Sequence, residues 1–256
     1  MWQEERYQRI RKMLEALRSV STDRIVDELG VSRETVRRDL IALEALGELR
    51  RSHGGAVLPD PLPAAFGRPA ADGRHLRAIA RAVGGRLSNG QTLYMEAGYM
   101  AAHIADALGT LHGITLITNS FEAATRVASG EDHVAHGNRA FVLGGAVIAP
   151  LPATQGDRTI AEIHRYTADT ALLFPTAIDA RHGTTHADLA RAELGRAMAA
   201  NARNIMVIAD DARIGVNSHA SYCAADRVSV LVTNRKSEAR EGYDELAGAV
   251  GSVALA

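Results

Sequence analysis

The sequence predicts an α/β chain in two parts, a small helix-turn-helix unit followed by a larger domain built on a mostly parallel sheet. Three observations carry this. Residues 1–57 show helix-period apolar spacing until a short β-like stretch at their end, residues 58–69 hold four of the seven prolines, and beyond them short β-rich runs alternate with helix-period segments. Domains are expected at 1–57 and 74–256, joined by a Pro-rich linker at 58–73 whose fixed φ angles and missing donors suit neither core.

A chain of 256 residues with 46% hydrophobic and 23% charged residues suits one or two globular domains. The longest apolar runs, 205–209 and 228–232, fall far short of the roughly 18 residues of a membrane span, so no membrane partner is expected. The opening Met1-Trp2-Gln3-Glu4-Glu5-Arg6 mixes both charges and lacks an apolar signal core, and the single Cys223 can close no intramolecular disulfide. Both features point to the cytoplasm. A net charge of −1 excludes a polycationic mode of nucleic-acid binding, so any such binding must be local. Of the 29 basic residues 27 are arginine, which reads as a coding bias before it reads as phosphate recognition.

In the first part, Tyr7, Ile10, Met13, Leu14 and Leu17 recur every three or four residues, the stripe of one amphipathic helix. Ser21 is placed to cap a second helix through Ile25, Val26 and Leu29, which Gly30 stops. Ser32 caps a third, where Val36, Leu40, Leu43 and Leu46 face inward, Arg33, Thr35, Arg37 and Arg38 fall on other faces, and Gly47 ends the helix. Two helices joined by Gly30-Val31-Ser32 make a helix-turn-helix, and residues 48–57 are expected to form a β-hairpin. A recognition helix needs several hydrogen-bonding side chains at its leading end and an apolar anchor behind them. Ser21, Ser32, Arg33, Thr35, Arg37 and Arg38, with Arg50, Arg51, His53 and Gly54 of the hairpin, are the candidate DNA contacts. Charge does not single them out, because residues 1–57 carry 11 basic against 10 acidic side chains and a solvated helix face is the bland alternative.

In the second part, strands are expected at 93–95, 115–118, 141–143, 171–174, 205–209 and 228–233, and helices at 78–87, 101–108, 121–127, 160–166 and 189–202. That alternation is the βαβ unit, whose ligands bind beyond the strand C-termini. Glu96-Ala97-Gly98-Tyr99, Thr118-Asn119-Ser120, Gly144-Gly145 and Asp210-Asp211-Ala212-Arg213 lie there. Taken singly, each reads as a turn.

The run Val31-Ser32-Arg33-Glu34-Thr35-Val36-Arg37-Arg38-Asp39-Leu40, followed by Leu43-Glu44 and Arg51-Ser52-His53-Gly54-Gly55-Ala56, closely resembles the DeoR family of bacterial transcription regulators. The resemblance implies a winged helix-turn-helix that reads double-stranded operator DNA, usually as a repressor, with Thr35, Arg37 and Arg38 on the DNA and residues 51–56 as the wing. A carboxylate beside phosphates is repelled, so Asp39 is expected to orient Arg37, Arg38 or a wing arginine. Thr118-Asn119-Ser120, Gly144-Gly145 and Ile208-Ala209-Asp210 are similar to the family's effector domain, a Rossmann-like fold akin to sugar-phosphate isomerases that usually senses a phosphorylated sugar.

Several positions depart from that family pattern. Glu96-Ala97-Gly98-Tyr99-Met100 stands for D-x-G-[ST]-T, Phe174 and Ala177 stand for two glycines, and Gly195, with Arg196 beside it, stands for a lysine. The D-x-S-K element reads Asp210-Asp211-Ala212-Arg213. The implied pocket is Glu96, Gly98, Tyr99, Met100, Thr118, Asn119, Ser120, Gly144, Gly145, Phe174, Asp210 and Arg213, made more apolar by Tyr99, Met100 and Phe174, with Arg213 as the cationic contact. Its effector is a sugar phosphate, a bulkier and less anionic metabolite, or absent. A homodimer or higher homo-oligomer is expected, since a two-fold pair reads paired half-sites.

An isomerase-like enzyme using Glu96, Asp210 and Arg213 is the alternative, set aside because an operator-reading chain needs differential binding between two states, not turnover. His133-x-x-His136 and His182-x-x-x-His186 have ligand-like spacing but bring no cysteine, and residues 181–186 look like a loop, so they read as solvated histidines. No metal or cofactor is expected, and Cys223 reads as structural.

Overall fold

The computed structural model describes all residues except 1, 2, 18, 46–48, 53, 58–72 and 150. The chain divides into two compact units, Met1–Pro63 and Ala64–Ala256. Residues 58–72 of the expected linker, together with Leu46, Gly47 and His53, lie outside the described residues. Among the described residues no helix is long and apolar enough to cross a membrane.

In the first unit α1 (Gln3–Leu17), β1 (Ser19–Ser21), α2 (Thr22–Leu29) and α3 (Arg33–Ala45) precede a hairpin of β2 (Arg50–Ser52) and β3 (Gly55–Val57). Tyr7, Ile10, Leu14, Ile25, Leu29, Val36, Leu40 and Leu43 form one buried cluster, so the apolar stripes of three helices converge. Each fully buried aliphatic side chain contributes about 1.5–3 kcal/mol. Ser21 caps α2 through its side chain to the Arg24 amide (3.3 Å), and Gly30 closes that helix at φ 62°, a left-handed conformation that disfavours any other residue. Ser32 caps α3 through the Thr35 amide (3.1 Å). The hairpin pairs Arg50 with Val57 and Ser52 with Gly55, and β1 adds to its other edge in the order β1-β3-β2, a strand the helix-period reading did not foresee.

In the second unit α4 (Gly73–Gly84), β4 (Thr92–Met95), α5 (Ala101–Leu108), β5 (Thr115–Thr118), α6 (Phe121–Ser129), α7 (Glu131–Ala135) and β6 (Arg139–Val142) come first. There follow β7 (Ala146–Ile148), β8 (Ala153–Gln155), α8 (Asp157–Ile163), β9 (Ala168–Leu173), β10 (Ala177–Asp179), β11 (Gly183–His186), α9 (Leu189–Ala200) and β12 (Ala202–Ile208). The chain ends with β13 (Ala220–Cys223), β14 (Val230–Thr233), α10 (Tyr243–Ala249) and β15 (Val253–Leu255).

Seven strands pair in parallel in the order β15-β14-β12-β9-β4-β5-β6. Alternate residues of a strand feed opposite cores: Ile205 and Val207 join Ala192 and Met198 of α9 on one face, while Met206 and Ile208 join Ile79 and Ile104 on the other. This double burial explains why the strands read as continuous apolar runs. The hairpin β7-β8 and the antiparallel ladder β10-β11-β13 fall outside the βαβ expectation, because each strand is only three or four residues long and mixes apolar with polar residues without a sustained period-two signal. Residues 181–186, expected as a loop, include strand β11. The helix expected at 160–166 begins and ends three residues earlier, at Asp157–Ile163.

After β4 the chain runs outward to β5 and β6, then returns to place β9 on the other side of β4. The strand order therefore switches between β4 and β9, and the crevice beyond their C-terminal ends is where such a sheet takes a ligand.

Candidate functional site

Two places combine exposed or unmet polar chemistry with a rigid support. The first is the leading turn of α3. Val36, Leu40 and Leu43 bury one side of the helix, which leaves Arg33, Arg37 and Arg38 more than half exposed on the other. Glu34 holds two of these arginines: Arg37 donates Nε (2.9 Å) and Nη2 (3.0 Å), and Arg38 donates Nε (3.1 Å) to the same carboxylate. Hydrogen bonding from Arg37, with Arg38 adding to it, keeps the Glu34 carboxyl down at about 2, so the pair is ionised at any working pH. Arg33 pairs with Asp23 of α2, and the Ser32 and Thr35 hydroxyls share a 2.8 Å hydrogen bond. Ser21 is exposed, and its hydroxyl serves as the cap of α2. The backbones of Arg50 and Arg51 lie in β2 and Gly54 lies in the hairpin turn at φ 83°.

Among the described side chains Asp39 meets neither Arg37 nor Arg38. It is buried on the inner side of α3 and accepts a bidentate pair from Arg6 of α1, Nε at 2.5 Å and Nη2 at 2.9 Å, which raises the Arg6 guanidinium further above its ordinary value. With Val36 and Leu40 flanking it on that face, Asp39 is a helix-to-helix tie rather than a neighbour of the exposed arginines.

The second place is the crevice between β4 and β9. Glu96, the residue after β4, is buried and accepts the Phe174 amide at 2.7 Å. Burial pushes its carboxyl up to about 7, against the opposing pull of Arg191 and of that amide. Arg191, in the first turn of α9, is buried and donates Nη2 to the Ala97 carbonyl. Tyr99 donates to Asp210 Oδ2 (3.3 Å) and lies under the Arg213 guanidinium, 4.7 Å from ring centroid to Cζ. Arg213 donates Nη1 to the Pro175 carbonyl at 2.8 Å.

Several expected pocket residues are instead spent on structure. Thr118 donates to the Met95 carbonyl (2.6 Å), Asn119 bridges the Ala97 amide and the Thr154 carbonyl, and Ser120 caps α6. Gly144 donates its amide to Glu162, and Gly145 follows at φ 152° against the Thr159 side chain. Met100 does not line the crevice: it is fully buried in the core with Ile104 and Leu108. Phe174 closes over Gly98. Between Glu96, Arg191, Ile148 and Gln155 there remains a cleft of about 10 Å³, the room of a single water.

The histidines also differ from expectation. His133 is buried, with Nε2 2.9 Å from the Ala105 carbonyl, and His186 is buried behind the crevice, so neither is solvated. Both sit on elements packed against a core, which spacing alone does not reveal. His182 is exposed and paired with Asp179 at 2.8 Å. Among the described residues no group of three His, Cys, Asp or Glu side chains is placed to hold a metal ion. Cys223 is buried, and burial pushes its thiol up to about 11.

Comparison with known proteins bears directly on these two places. Residues 6–61 match the DeoR-like helix-turn-helix domain and residues 73–235 match the DeoR C-terminal sensor domain. The chain belongs to the DeoR family. The glycerol-3-phosphate regulon repressor of Escherichia coli is 27% identical over 236 residues, covering 91% of this chain and 92% of that protein. The HTH-type transcriptional repressor GlcR of Bacillus subtilis is 28% identical over 238 residues, covering 92% and 90%. Among solved structures the sorbitol operon regulator SorC of Klebsiella pneumoniae aligns at 14% identity with a TM-score of 0.32, over 80% of this chain and 87% of that one, a likeness too weak to carry weight.

Within the DeoR family frame, Gly195 is where this chain departs most consequentially. A Cβ there would sit 2.5 Å from Glu96 Oε1 and 2.7 Å from the Tyr222 ring, so no side chain fits and a lysine least of all. Arg196 does not replace it, since its guanidinium bonds the Ser221 carbonyl and pairs with Glu193. Arg191, one helical turn earlier on the same face of α9, brings a buried guanidinium to the Ala97 carbonyl. That i, i+4 relation to Gly195 was the signal in the sequence. Tyr222 and His186 gave none, because they come from the irregular antiparallel ladder.

Proposed function

We propose that this DNA-binding regulator is an operator-binding repressor in which α3 enters the major groove and the sensor unit reports a small metabolite held between β4 and β9. The observation that carries the first half is the leading turn of α3, which offers Arg33, Arg37 and Arg38 to the outside while Val36, Leu40 and Leu43 fix the helix from behind. Guanidinium forks suit guanine O6 and N7, while the hydroxyls of Ser21, Ser32 and Thr35 suit phosphate. Arg50, Arg51 and Gly54 of the β2-β3 hairpin act as the wing.

The relatives' names speak for a repressor, not an enzyme. In the sensor unit Glu96, Tyr99, Asp210 and Arg213 are the responsive residues, together with Arg191. Gly98, Thr118, Asn119, Ser120, Gly144, Gly145 and Phe174 shape the walls around them. A metabolite that prefers one arrangement of this crevice shifts the operator-competent population. The chain acts as a homo-oligomer: edge strand β6 leaves Phe141 and Val142 exposed, as a second copy would require.

Footprinting purified protein across genomic DNA tests this. The expected result is a small set of duplex sites with two half-sites about 10 bp or a multiple apart, bound with a steep salt dependence. Absence of preference for any duplex site removes the proposal. A monomer by sedimentation at operator-binding concentration removes its oligomeric part.

A further inference from the structure

We infer that two copies of the chain join along β6, the two strands running antiparallel about a two-fold axis at Phe141, so that a pair of seven-stranded sheets becomes one. This names the contact behind the oligomer reading above and rests on that reading. β6 is an outer strand, and its backbone groups alternate between β5 and open space. The Arg139 amide donates to the Ile114 carbonyl (2.8 Å) and the Leu143 amide to the Thr118 carbonyl (2.9 Å), so residues of that parity face inward. Ala140 and Val142 therefore turn N–H and C=O outward, and among the described residues nothing bonds to them there.

Sheets ordinarily blunt such an edge with a lysine, a proline, a bulge or a covering element. Arg139-Ala140-Phe141-Val142 has one charge, at its start, and an unbroken register with β5, while Phe141 and Val142 are 45% and 40% exposed. The opposite edge differs. On β15, Ala254 is buried and Val253 and Leu255 are only partly exposed.

The β6 edge is complementary to itself. With Ala140 set against the partner's Val142, each outward amide meets an outward carbonyl in both copies at once. Phe141 then stands directly opposite the partner's Phe141 at a non-hydrogen-bonded position, where side chains come closest. A one-residue slip would set Ala140 against a residue whose groups already serve β5.

Charge fits the same register. Arg139 is exposed, and among the described residues no hydrogen bond or ion pair engages its guanidinium. The pairing sets it opposite the partner's Leu143, one residue before Gly144, whose amide donates to Glu162 Oε2 of α8. Arg139, Phe141 and Leu143 share one face of the sheet, and Leu143 packs in the same core as Ile163 of α8. The arginine and the partner's Glu162 thus lie on the same side of the joined sheet, and the two-fold makes the pair twice.

Cysteine pairing in the full chain reads the register. Phe141→Cys is expected to give a disulfide-linked dimer on air oxidation, since residue 141 meets its own copy on the axis, and Val142→Cys is not, since residue 142 is displaced from its copy along the strand. The native Cys223 adds no background, being buried with its thiol pushed up to about 11. Arg139→Glu is expected to weaken the dimer about tenfold in sedimentation, as two modest ion pairs become repulsions, and adding Glu162→Arg to it is expected to restore the affinity. An oligomer with no crosslink through residue 141, an equal or stronger crosslink through residue 142, an Arg139→Glu dimer as tight as wild type, or a double variant no tighter than Arg139→Glu overturns the pairing and leaves the oligomer reading standing. A wild-type monomer at operator-binding concentration removes both.

Discussion

The guanidiniums of Arg33, Arg37 and Arg38 are more than half exposed and each is held by a carboxylate that is itself in water, whereas those of Arg191 and Arg213 are buried and bonded to backbone carbonyls. One residue type thus serves two opposite ends. An exposed ion pair is nearly isoenergetic with its hydrated parts, so phosphate or guanine can replace Glu34 or Asp23 with little penalty. A buried guanidinium has given up its water, and whatever removes its partner leaves a charge or a carbonyl stranded. The first set is free to change partners, and the second is committed to the fold and to what enters the crevice.

The largest effect belongs to the committed set. Arg213→Ala strands Asp210 and the Pro175 carbonyl, and is expected to destabilise the sensor unit by about 3–5 kcal/mol in denaturant melts. A midpoint within error of wild type would place Arg213 in water and end the contrast.

Next in size is the exchangeable set. Arg37→Ala or Arg38→Ala is expected to weaken operator binding about ten- to a hundredfold at fixed salt while the melting curve stays put. If both variants retain tight binding in gel shifts, α3 is not the reading helix. If binding falls equally for operator and random duplex, the arginine touches phosphate rather than base.

How far the sequence reached follows the same division. Helices with a complete apolar stripe and a capping serine or glycine were legible, including α2 between Ser21 and Gly30 and α3 after Ser32. So were the parallel strands, whose double burial writes continuous apolar runs such as that of β12. The crevice was only half legible. Glu96, Tyr99, Asp210 and Arg213 follow strands that periodicity locates, but Met100 belongs to the core and Thr118, Asn119 and Ser120 tie turns together. His186 and Tyr222 were missed because which face of the β11-β13 ladder meets α9 is a tertiary fact, and Arg191 carried only the signal of lying four residues before Gly195 on α9. Asp39 failed for the same reason, since its partner Arg6 lies 33 residues away on α1.

A smaller effect tests whether burial sets the behaviour of the crevice. With its carboxyl pushed up to about 7 from the usual 4.5, Glu96 holds a proton in the folded state where the unfolded chain has lost it. The folded state therefore binds more protons between those values, so this group's contribution to stability is fullest below about pH 4.5 and declines as pH rises to about 7, with no further change above. Glu96→Gln is expected to abolish that slope. Measured from pH 4.5 to 8, Tm of wild type minus Tm of the variant should fall with rising pH; a difference that is flat or rises shows that Glu96 stays ionised and that Arg191 outweighs burial.

The smallest effect concerns the carboxylate that competes with DNA. Glu34 keeps Arg37 and Arg38 occupied and, at about 2, does not let go of its charge at any pH at which DNA is bound. A phosphate approaching α3 must therefore displace an anion and tolerate its repulsion. Glu34→Gln removes both, so duplex affinity is expected to rise a few-fold, more for random sequence than for operator, because phosphate contacts gain from the freed charge and base contacts do not. Operator titrations of variant and wild type at two salt concentrations measure it. The opposite result, weaker operator binding with random-duplex binding unchanged, would show that Glu34 aims Arg37 at a base, and would move even the exposed set of arginines from exchangeable to positioned.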